Sequence, residues 1–144
     1  MLKEANSQDI DSIVRLAKML WPENELFELK EEFEAYLEDK HAYILLAVDD
    51  EQTVGFAQCQ LRFDYVEGTE TSPVGYLEGI YVQESHRKKG CARQLVRACE
   101  KWAKEKGCSE FASDCTIDNN ESLAMHLRLG FEEAGRIICF KKKL

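Results

Sequence analysis

Residues 81–92 read Tyr81-Val82-Gln83-Glu84-Ser85-His86-Arg87-Lys88-Lys89-Gly90-Cys91-Ala92. Just upstream, Val74 to Val82 is an apolar run of strand type. Downstream, Ala92, Leu95, Val96, Cys99, Trp102 and Ala103 recur at helical spacing, which predicts a helix from about Gly90 to Lys106, closed by Gly107. The stretch is therefore a strand–turn–helix junction with a basic turn. A helix start offers unpaired backbone N–H groups and the positive end of the helix dipole. Arg87, Lys88 and Lys89 add charge at the same place, and Gly90 with the small Cys91-Ala92 pair lets a ligand approach the main chain. Together these features make a pyrophosphate cradle. The turn is neither a Walker A motif nor Gly-x-Gly-x-x-Gly, so ATP and NAD are poor fits. A basic run alone would read as a solvated loop; its strand and helix neighbours favour the cradle.

Working outward, the rest of the chain supplies a sheet and its covering helices. Ser7 is placed to cap a helix carrying Ile10, Ile13, Val14, Ala17 and Leu20, which Pro22 stops. A second helix is expected over about Glu25 to Leu37, with Leu26, Leu29, Phe33 and Leu37 facing inward. Tyr43 to Val48 and Thr53 to Phe63 read as strands joined by a turn at Asp49-Asp50-Glu51-Gln52. Asp64 to Pro73 is a polar loop. After the central helix, Glu110 to Thr116 reads as a strand, Asp118-Asn119-Asn120 opens a helix closed by Gly130, and Phe131 to Lys142 carries one or two final strand segments. Met1 to Ala5 is a candidate short first strand. Helices between strands in the second half imply an α/β fold whose central mixed sheet is covered by crossovers. Residues 1–144 read as one domain.

Composition narrows the classes of function. Apolar residues make up 44% and charged residues 32%, a balance suited to a folded soluble chain. No apolar run approaches the roughly 20 residues a membrane span needs. The first residues lack the apolar core of an export signal, so a cytoplasmic location is expected, with no membrane partner. The net charge of −8 argues against a nucleic-acid partner and suits a cationic small molecule, although a solvated acidic surface explains it as well. The six cysteines form no Cys-x-x-Cys pair, and the three histidines are scattered, so free thiols and no metal are expected.

Arg87-x-x-Gly90-x-Ala92 resembles the acyl-CoA signature Gln/Arg-x-x-Gly-x-Gly/Ala of the GNAT acyltransferase superfamily, and the order of elements is similar along essentially the whole chain. Asn119 or Asn120, Ala124 and Leu129-Gly130-Phe131 resemble its second signature. The resemblance narrows at Trp21-Pro22, at Phe63-x-Tyr65-Val66-x-Gly68-Thr69-Glu70-Thr71-Ser72-Pro73-Val74-Gly75, at Leu77 to Val82 and at Glu110-Phe111-Ala112-Ser113-Asp114. These stretches are similar to aminoglycoside 6′-N-acetyltransferases. The resemblance implies splayed central strands that admit acetyl-CoA, an acetyl transfer to the 6′-amine of an aminoglycoside, and a homodimer. It places the pantetheine arm along the backbone of Ile80, Tyr81 and Val82, and Asn119 at a cofactor contact. It places Trp21, Tyr65, Glu78 and Asp114 around the cationic substrate.

The chemistry of the residues agrees with these roles but leaves alternatives. Strict alternation puts Glu78 on one strand face with Tyr76, Ile80 and Val82. A carboxylate there needs either a structural partner or work as substrate ligand and general base, because an alkylammonium must shed a proton before attacking a thioester. The Val82 N–H is the candidate for polarising the thioester carbonyl. Apart from the resemblance, Asp114 reads first as a strand-end or loop cap; Asn119 also reads as a helix cap and Trp21 as a core anchor, whereas Tyr65 in a polar loop suits contact with a sugar or ammonium. Many GNAT enzymes carry a Tyr acid five residues before the Phe of Gly-Phe; His126 stands there, either as an acid for the departing thiolate or as a satisfied helix histidine. Gly135 stands where some relatives carry a substrate-binding Glu, with Glu132 and Glu133 only nearby. The expected reaction is direct attack in a ternary complex. The competing readings are a GNAT enzyme for another amine (a polyamine, an amino acid or a peptide N-terminus) and a protein that binds acetyl-CoA or the drug without turnover.

Overall fold

A computed structural model describes residues 1–144. Five strands, β1 (Leu2–Glu4), β2 (Ala42–Asp49), β3 (Gln52–Arg62), β4 (Val74–Val82) and β5 (Phe111–Ser113), form one sheet in sequence order. The first four are antiparallel; β4 and β5 are parallel, as the mixed sheet expected from the helical crossover requires. The first strand pairs Lys3 with Leu46 of β2. The helices are α1 (Ile10–Leu20), α2 (Leu26–Glu38), α3 (Cys91–Glu105) and α4 (Asn120–Arg128). No helix is long and apolar enough to cross a membrane.

Alternating side chains feed two cores. Ile44, Leu46 and Phe56 meet Ile13, Leu16, Leu29 and Phe33 of α1 and α2 on what we term the front face. Leu45, Ala47, Ala57, Cys59 and Leu77 meet Leu95, Val96 and Cys99 of α3 on the back. Burying side chains such as Phe33 and Phe56 contributes about 1.5–3 kcal/mol each. The cysteines are free thiols, with Cys59, Cys99 and Cys108 buried and Cys115 and Cys139 exposed.

Three expectations need correction. Ser7 does not cap α1: Asn6 accepts from the Gln8 N–H and Asp9 reaches back to the Asn6 N–H, a capping box that inserts a 3₁₀ turn at Ser7–Asp9. β5 ends at Ser113 rather than continuing to Thr116, because β4 bends away from it there. Residues 131–142 form no strand: nothing in the single chain pairs with them, and Ile137, Ile138 and Phe140 are 77%, 80% and 91% exposed.

The bend has a local cause. Gln58 pairs with Gly79 and Cys59 with Leu77, so Glu78 is an extra residue in β4, a bulge. A bulge bends its strand and increases the twist. The pairing of β4 with β5 stops at Leu77 and Ser113, immediately before the bulge, while β4 runs on to Val82. The result is a wedge with its apex at Leu77 and Ser113 and its open end at Val82.

Candidate active site

The β4 wall of the wedge is unpaired main chain. Gln83 N–H donates to Val54 O at 2.8 Å, a bond that flanks the Gly55–Val82 pair and makes it a wide, non-bonded pair. By the same alternation Phe56–Tyr81 is a bonded pair and Ala57–Ile80 a wide one. The N–H and C=O of Ile80 and Val82 therefore point into the wedge, whereas those of Tyr81 are spent on β3. This corrects the expectation for Tyr81, whose backbone has nothing left to offer an arm in the wedge; its side chain packs against the front core. Ile80 and Val82 fill the back side. Of the two free N–H groups, that of Ile80 lies nearer the apex.

At the open end the chain turns through 83–90 into α3. Lys88 (φ 63°) and Gly90 (φ 82°) are left-handed, and a Cβ on Gly90 would meet nothing within 4 Å. Gly90 is thus required by backbone conformation rather than by crowding. It is the N-cap of α3 and supplies no side chain, so the first N–H groups of the helix, from Cys91 onward, stay open to an anion. Cys91 and Ala92 rest on the back core, and Lys88 and Lys89 are exposed. Arg87 is already engaged: its Nε donates to Val82 O at 2.8 Å, its Nη1 lies 3.6 Å from Glu121, and its guanidinium sits 5.4 Å from the Tyr81 ring centroid. It binds the turn to β4, leaving the two lysines as the free charges. His86 braces the turn from the other side through Asp49, at 2.9 Å.

On the front face beside the apex lies a charged cluster. The bulge returns Glu78 to the front together with Tyr76, while Ile80 and Val82 fall on the back; strict alternation had put all four on one face. Glu78 is held by Arg62 at the end of β3, with Nε at 2.9 Å and Nη2 at 2.7 Å. The bonded carboxylate holds the Arg62 guanidinium above its ordinary value, against the opposing effect of burial. Arg62 also lies over the Tyr76 ring, 3.4 Å from its centroid, and the Tyr76 hydroxyl donates to Asp114. Burial first, then that bond to Asp114, raises the Tyr76 phenol above its ordinary value. Glu78 and Asp114, distant in sequence, are thus tied through Arg62 and Tyr76.

Trp21 closes α1 and packs on Phe33 and Phe56, with ring centroids 6.2 Å and 6.3 Å away. Its outer ring covers Gly79, where a Cβ would stand 2.5 Å from Cη2. It is both a core anchor and the wall next to Glu78. Tyr65 is 76% exposed in the 64–73 loop. Glu110 holds that loop, accepting from the Glu70 N–H at 2.9 Å and from the N–H and hydroxyl of Thr71. Sequence reading missed Arg62, Tyr36 and Tyr76 as parts of this cluster. The signal for Arg62 was there: Phe56 is followed on the same strand face by Gln58, Gln60 and Arg62, where an apolar series would otherwise continue. Tyr36 of α2 donates to Glu32 at 2.6 Å, and its phenol is raised by burial, by Glu32 and by the nearby Glu78 charge.

On the back side of the apex, His126 of α4 faces Ser122 O through Nδ1 at 2.7 Å and Ser113 Oγ through Nε2 at 2.8 Å. Ser113 in turn lies 3.2 Å from Leu77 O. Asn119 caps α4, its side chain accepting from the Ser122 N–H at 3.0 Å. Gly135 lies against Glu67, whose Oε1 would be 3.6 Å from a Cβ at that position. A carboxylate is therefore present beside Gly135, supplied by the loop rather than by the tail. No group of three or more His, Cys, Asp or Glu side chains could hold a metal ion.

Comparison with known proteins places this geometry. Residues 10–131 match the family model described as the acetyltransferase (GNAT) family. A protein of Acinetobacter haemolyticus named aminoglycoside N(6′)-acetyltransferase type 1 is 44% identical over 143 residues, covering 99% of this chain and 98% of that protein. A protein of the same name from Serratia marcescens is 38% identical over 145 residues, covering 100% and 99% of the two chains. Among solved structures, the apo aminoglycoside antibiotic 6′-N-acetyltransferase of Acinetobacter haemolyticus superposes with a TM-score of 0.95 at 42% identity, covering 100% of this chain and 99% of that one. AAC(6′)-Iy in complex with the bisubstrate analogue CoA-S-monomethyl-acetylneamine gives 0.95 at 37% identity, covering 100% and 98%.

Proposed function

This chain belongs to the acetyltransferase (GNAT) family, and from that premise we propose that it is an acetyl-CoA-dependent aminoglycoside 6′-N-acetyltransferase, acting in the cytoplasm. The observation that carries the proposal is the apex of the wedge. There an unpaired strand edge, able to hold a thioester, meets a carboxylate cluster able to hold a polycation.

Each part of the chain has a separate task. The α3 N-terminus with Lys88, Lys89, Gly90, Cys91 and Ala92 binds the pyrophosphate of acetyl-CoA, and Arg87 positions that turn. The N–H and C=O of Ile80 and the N–H of Val82, whose carbonyl is taken by Arg87, hold the pantetheine arm in place of a sheet neighbour. The N–H expected to polarise the thioester carbonyl was that of Val82; its distance from the apex transfers that role to the N–H of Ile80, with Val82 serving the arm. Glu78 and Asp114 bind ammonium groups of the acceptor, and Trp21 and Tyr65 supply aromatic walls. Glu78 or a water on it takes the proton that frees the attacking amine. His126 supplies a proton to the departing thiolate.

We also propose a homodimer. Its support is the unpaired segment 131–144, with Ile137, Ile138 and Phe140 exposed, together with the open outer edge of β5, each of which lacks a strand partner within one chain. Light scattering should give twice the chain mass for the full protein and the single mass for a chain ending at Arg136; a monomeric full chain would refute it.

The deciding experiment measures thiol release from acetyl-CoA with kanamycin, tobramycin, spermidine and a short peptide, each alone. Release with the two drugs, with acetylation mapped to the 6′ nitrogen, is expected. Release only with the other amines would keep the family and overturn the acceptor. A Glu78→Gln, Asp114→Asn double variant with wild-type activity would overturn the assigned acceptor site.

A further inference from the structure

Ser113 takes no part in the pyrophosphate turn or the carboxylate cluster, yet its hydroxyl occupies the apex of the wedge. It lies between two partners: Leu77 O at 3.2 Å, which can only accept, and His126 Nε2 at 2.8 Å, which can accept or donate. The other ring nitrogen is committed. Nδ1 faces the Ser122 carbonyl at 2.7 Å, and a carbonyl cannot donate, so Nδ1 carries a hydrogen in both charge states of the ring. The Ser122 hydroxyl, 3.3 Å from Nδ1, is the only other polar side chain bonded to the ring, and Phe131 packs on it with centroids 5.1 Å apart.

This leaves two complete arrangements. With a neutral ring, Ser113 donates to Nε2. With an imidazolium, Nε2–H donates to Oγ and the hydroxyl hydrogen turns to Leu77 O. Both satisfy every donor, and the first becomes the second when Nε2 gains a proton and the hydroxyl turns about its Cβ–Oγ bond toward Leu77 O. A hydroxyl that can receive a proton on one side and release one on the other is a relay. From these contacts we infer that Ser113 is the group that hands the proton to the leaving sulfur, with His126 acting through it.

The placement supports the direction of transfer. An arm that enters at the 87–92 turn and follows Ile80 and Val82 reaches the apex with its reactive end. The acceptor approaches Glu78 on the front, while Ser113 and His126 stand toward the α3 side, where Leu129 and Phe131 join the back core. Nucleophile and leaving group are thus served from opposite sides. In the step itself, the Nε2–H bond breaks as an Oγ–H bond forms, the original Oγ–H bond breaks, and an S–H bond forms on the thiolate. The ring ends neutral with its hydrogen on Nδ1. Of the two protons the acceptor ammonium loses in becoming an amide, one goes to solvent and one returns to the ring.

The inference rests on the acetyl-transfer reading, and its test separates the two. Ser113→Ala and His126→Ala should each lower kcat about 10²-fold, with KM for acetyl-CoA and kanamycin within about threefold of wild type. Ser113→Thr, which keeps the hydroxyl, should recover most of the rate. The Ser113→Ala, His126→Ala double variant should be no slower than either single one, because both remove the same path. Nitrogen-15 spectra of the histidine rings should show a hydrogen on His126 Nδ1, and Ser113→Ala should move only the Nε2 resonance. A wild-type kcat in Ser113→Ala, a multiplicative double variant, or an Nε2–H tautomer would overturn the relay while leaving the enzyme reading intact. A wild-type protein inert toward every amine, with the expected tautomer present, would overturn the enzyme reading instead.

Discussion

Replacing Gly79 by Ala tests whether the wall between Trp21 and the bulge is as tightly closed as the geometry requires. Gly79 has no left-handed φ, so the backbone accepts a side chain. The space does not: the new Cβ would stand 2.5 Å from Trp21 Cη2, 2.8 Å from Cζ2 and 3.4 Å from Leu20 Cδ2. Ordinary contact begins near 3.4 Å, so the indole must retreat by most of an ångström. It cannot do so freely, because Phe33 and Phe56 lie behind it. Overpacking of this kind costs about 1–3 kcal/mol. At roughly 4 °C per kcal/mol for a domain near this size, the melting midpoint should fall by about 4–12 °C. Thermal unfolding followed by circular dichroism reads this directly. Trp21→Phe removes the outer ring atoms that clash, so Gly79→Ala should cost much less in that background, a coupling a double-mutant cycle reports. An unchanged midpoint in Gly79→Ala, or equal costs in the two backgrounds, would refute the reasoning.

Three other outcomes are expected. Arg62→Met removes both hydrogen bonds to Glu78 and should destabilise the fold by about 1.5–3 kcal/mol; acceptor kcat/KM should fall while KM for acetyl-CoA holds, as steady-state kinetics with each substrate varied will show. Gly90→Ala meets no atom but must hold a positive φ, a strain of about 1–2 kcal/mol; the protein should fold and bind acetyl-CoA about tenfold more weakly, measured by calorimetric titration. The Glu110 carboxyl is held below its ordinary value, chiefly by the Thr71 hydroxyl and then by the Glu70 and Thr71 N–H groups. A depressed carboxyl stabilises the fold above its unfolded value and loses that contribution as pH falls through the folded value. The 64–73 loop should therefore loosen only below the usual carboxylate range, and in Glu110→Gln the protease sensitivity of that loop should lose its acid dependence.

Much of the architecture was local enough to be legible. The helical face of Ala92, Leu95, Val96 and Cys99, the alternation from Thr53 to Phe63 and the basic turn before Gly90 each follow from spacing a few residues long. The sequence alone determined the element order as far as the helix closed by Gly130, the parallel crossover from β4 to β5 and the exposed helix start at the basic turn before Gly90.

What only the tertiary structure decided depends on pairing across strands. The extra residue at Glu78 is invisible in β4 itself, because a bulge is a mismatch between two strands, and it moved Ile80 and Val82 to the face opposite Glu78. The same pairing withdrew Tyr81 from the wedge. The engagement of Arg87 by Val82 O, of Glu78 by Arg62 and of His126 by Ser113 joins residues between 5 and 16 positions apart. The tail shows the same limit from the other side. Its apolar run Ile137-Ile138-Cys139-Phe140 suits a strand, yet residues 131–142 stay unpaired, because a strand exists only where another backbone is present to bond with it.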